Sequence, residues 1–152
     1  MTNSIRDSFG LKIEMDKVKP NLSDYQMVII PGGDGIRKVV FDKDFIEWIK
    51  TAKDTTYKIS ICTGSFVLGA AEFLKEKTAT TNFKAYKLLE KYCKTVSTKR
   101  IVDDKNTITA GAVSASIDLG LYICEKLVGK SKTEEIRKNM DYYPSQFEIE
   151  NV

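Results

Sequence analysis

At 152 residues, with 42% hydrophobic and 30% charged residues, the chain has the length of one domain and the composition of a globular protein rather than a disordered one. Its 24 Lys and Arg against 21 Asp and Glu are spread along the sequence, so no basic stripe points to nucleic acid. No apolar stretch approaches the ~20 residues of a membrane span, "MTNSIRDSFG" lacks the apolar centre of a secretory signal, and the absence of histidine excludes any Cys–His or Ser–His pair within the chain.

The expectation is therefore a single cytoplasmic domain over 1–152, with neither nucleic acid nor membrane as partner. Cys62, Cys93 and Cys124 are odd in number and widely spaced, which suits neither a disulfide framework nor a zinc site. Reduced thiols and no metal follow.

In chain order, "LKIEM" (11–15) reads as a short strand, possible as an edge, before a polar connection through Pro20 and Asn21. "YQMVIIPGG" (25–33) is a continuous apolar run stopped by proline and two glycines, the pattern of a buried parallel strand. "DKDFIEWIKTAKD" places Phe45, Ile46, Trp48 and Ile49 on one side of an amphipathic helix, and "YKISI" (57–61) returns to strand. From Thr63 the pattern predicts an apolar helix ending near Lys75 to Lys77, then a second amphipathic helix over 82–93. "KRIVDDKNTITAG" (99–111) predicts two strands around a turn at 103–106, Ser114 to Leu127 a helix ended by Gly129, and 133–141 a helical run. Alternating helices and solidly apolar strands predict an α/β fold, doubly wound, with a mostly parallel sheet and helices on both faces.

In such folds the ligand site lies beyond the carboxyl ends of the strands. Two turns qualify: "PGGDG" (31–35) and "CTG" (62–64). A cysteine at a strand-to-helix turn sits beside the positive end of the helix dipole, which favours thiolate over thiol. Gly64 and Ser65 leave room for a substrate, and the amide after the nucleophile can face a developing oxyanion, as in a nucleophile elbow. From the residues alone Cys62 has a second reading as a packing residue, the one that fits Cys93 and Cys124. "PGGDG" likewise reads either as a simple turn or as a source of amides aimed at an anionic intermediate. It matches no phosphate-binding motif. Asp34 either reaches the pocket or bonds its own backbone. Glu14 and Asp16 read as solvated, and Asp118 as an acid complementing the first turn of its helix.

"VIIPGGDG", "SICTGSFVLGAAEFLKEKTATTNF" and "RIVDDKNTITAGAVSASIDLGLYICEKLVG" resemble, in order and spacing, the ThiJ/PfpI family of the class I glutamine-amidotransferase-like superfamily. The "ICTG" elbow, the "ATT" before an aromatic, "SASIDLGL" and the late "MDYYP" are most similar to its isonitrile hydratase branch. The likeness runs from about Leu11 to Pro144 and implies a flavodoxin-like sheet. It implies that Cys62 is the reactive cysteine, in a strained backbone conformation, and that Thr63 orients substrate and supplies an amide. Gly33 would be the opposing oxyanion-hole amide and Gly32 would shape the turn. Ala112, Val113 and Ser114, within the segment Ala112 to Ser116, would line the pocket. Homodimers with sites near the interface are implied, with a small-molecule substrate and no cofactor.

Two departures accompany the likeness. Positions at which many members carry histidine hold Asn82 and Thr63, which steers toward the hydratase branch. The family's initial strand and helix, and the carboxylate that bonds the cysteine, have no counterpart before Leu11, so the sequence leaves open a truncated chain or a further chain completing the sheet. The expected activity is isonitrile hydration through a Cys62 thioimidate, a lyase reaction, weak for this chain alone; amidase or hydrolase chemistry is its neighbour within the family. A non-catalytic ligand-sensing module or a redox or carbonyl-stress protein is the alternative.

Overall fold

The computed structural model describes residues 3–7, 9–143 and 149–151. Its strands are β1 (Ser4–Arg6), β2 (Lys12–Glu14), β3 (Met27–Ile30), β4 (Tyr57–Ile61), β5 (Thr78–Ala79), β6 (Thr95–Val96), β7 (Ile101–Asp104), β8 (Thr107–Ala110) and β9 (Ile149–Asn151). The helices are α1 (Ile36–Val39), α2 (Lys43–Lys50), α3 (Ser65–Ala70), α4 (Tyr86–Leu89), α5 (Ser116–Val128) and α6 (Lys130–Asn139). The main sheet has the order β3-β4-β8-β7-β9 and is parallel except where β7 and β8 form a hairpin, so the α/β architecture read from the pattern holds.

Side-chain alternation along β4 sorts the two layers. Ile59 and Ile61 face α5, where Ile101, Ile108, Ala115 and Leu119 complete one apolar cluster. The other cluster draws Ile30 together with Ile46 and Ile49 of α2, Val67 and Leu68 of α3, and Leu74 and Leu89. Complete burial of one such aliphatic side chain is worth ~1.5–3 kcal/mol, so this layer is what binds α2, α3 and α4 to the sheet.

The N-terminal segment departs from expectation. "LKIEM" does contain a strand, but β2 pairs with β1 in a separate antiparallel hairpin rather than joining the main sheet. The sheet consequently ends on β3, and Ile29, on the central run of the expected buried strand, is 50% exposed. Two predicted helices are also shorter. α3 stops at Ala70 because Glu72 takes a left-handed φ of 67° while the amides of Glu72 and Phe73 bond the carbonyls of Gly69 and Leu68, a Schellman ending built without glycine. The reversal drops Leu74 into the core at full burial, whereas a helix continued to 75–77 would carry it past. The 82–93 segment keeps only a 3₁₀ turn over Phe83–Ala85 and the single turn of α4, because it is packed closely against α3: a Cβ on Gly69 would meet Tyr92 Cβ at 2.4 Å.

The remaining expectations match closely. α2 begins at Asp42, whose side chain accepts the Phe45 amide at 3.0 Å, a cap worth ~1 kcal/mol. The β7–β8 turn closes through Lys105 at φ 65°, and α5 ends at Gly129, φ 86°.

Candidate active site

Chain direction puts the carboxyl ends of β3 and β4 side by side, and the turns that leave them form one surface. β4 passes into a 3₁₀ turn over Cys62–Gly64 that runs directly into α3. Cys62 lies in that turn with φ 55°. A side chain other than glycine costs ~1–2 kcal/mol in this region of backbone space, and Cys62 is held there by its neighbours.

The restraints come from three directions. The Cys62 carbonyl accepts hydrogen bonds from Ser65 Oγ at 3.2 Å and Thr81 Oγ1 at 3.0 Å. Thr81 is fully buried next to β5, and the adjacent Thr80 amide donates to Thr109 Oγ1 of β8 at 2.8 Å, so the "ATT" stretch ties the elbow to the sheet. From the β3 side, a Cβ on Gly64 would lie 2.2 Å from the Ile30 carbonyl oxygen, and one on Gly32 would lie 2.9 Å from Cys62 Cβ. Gly64 requires glycine because backbone rests on backbone there, and Gly32 because Cys62 Cβ and Thr63 fill the space its own Cβ would take.

Thr63 and Gly33 are joined across the gap: the Gly33 amide donates to Thr63 Oγ1 at 3.1 Å. Gly33, at φ 140°, is in a conformation natural only to glycine. The amide expected to face an oxyanion is therefore occupied by the Thr63 hydroxyl, and a substrate would have to take its place. Cys62 is half-buried and opens onto a cavity of about 630 Å³, with Ile36, Val40, Phe66, Leu88 and Tyr92 among its apolar walls.

Of the residues expected at the site, Gly33, Asp34, Cys62, Thr63 and Val113 line this cavity. Gly32 and Gly64 act beneath it, through the close backbone approach. Asp34 is exposed, and its side chain makes no hydrogen bond to its own turn among the described residues. Ala112 and Ser114 are not on the wall. Ser114 instead receives Arg100, whose Nη2 donates to its carbonyl at 2.6 Å. Arg100 Nε also bonds Asp118 at 2.6 Å, and Tyr142 Oη reaches the other Asp118 oxygen at 2.6 Å. Asp118 thus acts as a buried anchor joining α5, the 112–116 segment and the late "MDYYP" stretch, of which Pro144 falls outside the described residues.

Thr81 and Arg100 escaped the sequence reading as site residues, and Ser65 reads in sequence only as leaving room for a substrate, not as a donor to the Cys62 carbonyl. Thr81 bonds a carbonyl 19 residues away, and Arg100 bonds a carboxylate and a carbonyl 18 and 14 residues away, separations that leave no spacing signal. Cys93 differs in kind from Cys62. Its thiol faces the carbonyls of Leu89 and Thr95 at 3.5 and 3.3 Å, and burial pushes its pKa above the ordinary thiol value. Cys124 sits half-buried on α5, away from any strand-end turn.

The signature of the DJ-1/PfpI family matches residues 2–126. The chain belongs to the DJ-1/PfpI family. Isonitrile hydratase of Pseudomonas putida is 30% identical over 142 residues, covering 93% of this chain and 62% of that protein. Protein DJ-1alpha of Drosophila melanogaster is 28% identical over 120 residues, 77% of this chain and 55% of that one. A solved ThiJ/PfpI family protein from Pseudomonas syringae superposes with a TM-score of 0.86 at 27% identity, covering 94% of this chain and 60% of its own. The chain spans 55–62% of the length of these curated relatives. Across the family fold, the elbow and its cavity fall within the matched region.

Proposed function

We propose that this DJ-1/PfpI member is a cysteine-dependent enzyme of the isonitrile hydratase type. The observation that carries the reading is Cys62, held at φ 55° at the mouth of an apolar cavity, in a chain 30% identical to an isonitrile hydratase.

The chemistry balances without an outside reagent. The Cys62 sulfur bonds to the terminal isonitrile carbon, and the thiol proton ends on that carbon, giving a thioimidate, R–N=CH–S–Cys62. Water then adds to the same carbon, the C–S bond breaks, and the sulfur recovers a proton. The product is R–NH–CHO, one isonitrile plus one water. Asp34, on the cavity wall, is the carboxylate of this chain we assign to the proton relay, and we assign the Thr63 amide, together with the Gly33 amide once substrate displaces the Thr63 hydroxyl from it, to the charge that develops at the carbon under attack.

The test is formation of an N-substituted formamide from p-nitrophenyl isocyanide, followed by mass spectrometry. Product is expected from the wild type, much less from Asp34→Asn, and none from Cys62→Ser. Mild iodoacetamide should label Cys62 ahead of Cys93 and Cys124. Rapid labelling without product would favour the ligand-sensing or redox reading, and equal slow labelling of all three thiols would remove the reactive-cysteine premise. We also expect a homodimer, the assembly implied by the family resemblance, which analytical ultracentrifugation checks.

A further inference from the structure

The cavity beside Cys62 is apolar inside and cationic around its edge. Arg37 of α1, Lys84 of the 3₁₀ turn before α4, and Lys91 just after α4 all line it, from three different elements. Asp34 is the one carboxylate among the lining residues. None of the three cations forms an ion pair among the described residues; Lys84 lies over the Phe83 ring at 5.7 Å, and Arg37 and Lys91 make no side-chain hydrogen bond there. Other cations of the chain also stand without an ion pair among the described residues; what sets Arg37, Lys84 and Lys91 apart is that all three line one cavity.

Unpaired cations converging on a low-dielectric cleft concentrate positive potential inside it and favour an anion over a neutral isostere. Asn82 points the same way. Its carbonyl oxygen caps the Lys84 amide at 3.0 Å, which leaves its amide N–H groups as donors on the cavity wall. The apolar walls supplied by Val40, Phe41, Phe66 and Leu88 fit a hydrocarbon or aromatic body between the reacting carbon and the anionic end.

We propose that the site selects small substrates with an apolar body and a carboxylate at the end remote from the reacting carbon, the carboxylate being held by Arg37, Lys84 and Lys91. The proposal deepens the isonitrile hydratase reading and rests on the cavity being the substrate site. It assigns specificity to those three residues and no role in bond making.

The test uses a matched pair of product analogues, 4-formamidobenzoate and 4-formamidobenzamide, which differ only in the charge far from the formyl carbon. Calorimetric binding to the whole chain requires no reaction at Cys62, and so separates this proposal from the catalytic one. The benzoate is expected to bind about tenfold more tightly at low salt, with the preference shrinking as salt screens the rim. The preference should fall to near unity in the Arg37→Gln, Lys84→Gln, Lys91→Gln triple variant while benzamide affinity stays put. It should persist in Cys62→Ser. All three cations are exposed, so the triple variant keeps the core intact, and circular dichroism verifies its folding. Equal affinities of the two analogues for the wild type, or a preference that survives the triple substitution, overturn the proposal. Failure to form a formamide would leave this binding preference standing and would instead overturn the catalytic reading.

Discussion

The two ends of the main sheet handle awkward chemistry in opposite ways. At the far end from Cys62, β7 carries Asp103 and Asp104 into nearly complete burial, and each is paired. Tyr122 Oη donates to Asp103 Oδ2 at 2.6 Å and Lys126 Nζ bonds the same oxygen, while Lys77 Nζ lies 3.2 Å from Asp104 Oδ1 and the Thr78 amide donates to its Oδ2 at 2.8 Å. At the near end Asp118 is also buried and paired, with Arg100, but the cost that sets this end apart is backbone strain at Cys62, offset by two hydroxyls on one carbonyl and by the close approach of Gly64 to the Ile30 carbonyl. The far end spends its interactions on holding strands to helices. The near end spends them on holding one thiol at the mouth of a cavity.

The largest expected effect comes from breaking the near end at its base. Gly64→Ala places a methyl 2.2 Å from the Ile30 carbonyl, where both sides are backbone and neither can rotate away. The expected loss is about 3 kcal/mol or more in urea denaturation, together with loss of preferential Cys62 labelling. Gly120→Ala is the control, because a Cβ there meets nothing within 4 Å on an exposed face of α5. That change should stabilise by about 0.5–1 kcal/mol through helix propensity alone. Equal effects at the two glycines would mean the elbow is not built on close backbone approach.

At the far end, Asp103→Ala removes the acceptor shared by Tyr122 and Lys126 and should cost about 1–3 kcal/mol. Asp103→Asn retains an acceptor for the Tyr122 hydroxyl and should cost less. Neither should alter the order in which iodoacetamide labels the three cysteines. A change in Cys62 labelling would show that the two ends are coupled and the comparison too sharp.

What the sequence revealed follows the same division. β4, the β7–β8 hairpin and α5 are legible because apolar alternation and turn residues over 57–61, 101–110 and 116–129 repeat the structure's own periods. Cys62 is legible because its elbow is local: strand, thiol, glycine and helix are contiguous. The early end of α3 is not, because its left-handed residue is Glu72 and composition gives no warning of a non-glycine Schellman turn. The Thr81 and Arg100 contacts are invisible for another reason, since they join segments whose proximity is set only by the folded sheet. The cationic rim is likewise assembled from Arg37, Lys84 and Lys91, more than forty residues apart at the extremes, and reads in sequence as three ordinary surface charges.

A smaller effect tests the strain itself. Cys62→Ala removes the thiol but keeps a Cβ in the left-handed conformation, whereas Cys62→Gly removes both. If the neighbours hold Cys62 against its preference, the glycine variant should be as stable as the alanine variant or more so, by up to about 1 kcal/mol once the greater freedom of unfolded glycine is set against the released strain. Alanine clearly more stable than glycine would mean that the backbone at 62 carries no strain, and chemical denaturation of the pair decides it.

The smallest effect is alkaline and belongs to the far end. Burial, reinforced by the hydrogen bond to Asp103, raises the Tyr122 pKa above its ordinary value of 10.0. A raised pKa means that the folded chain keeps a proton the unfolded chain releases. The associated stability is therefore fully present below pH 10 and declines as pH climbs above it toward the folded value. Cys93, also raised by burial from an ordinary 9.0, contributes with the same sign from a lower starting pH, while Lys58, lowered by burial beneath 10.5, contributes with the opposite sign. Comparing wild type with Tyr122→Phe cancels the latter two. The stability difference between them should be flat up to about pH 9 and then shrink, by at most about 0.8 kcal/mol at about pH 10.5 and by less after solvent screening of a half-buried group. A difference that stays constant through that range would mean that the Tyr122 hydroxyl ionises as easily folded as unfolded, and that the far end is less tightly closed than its pairing indicates.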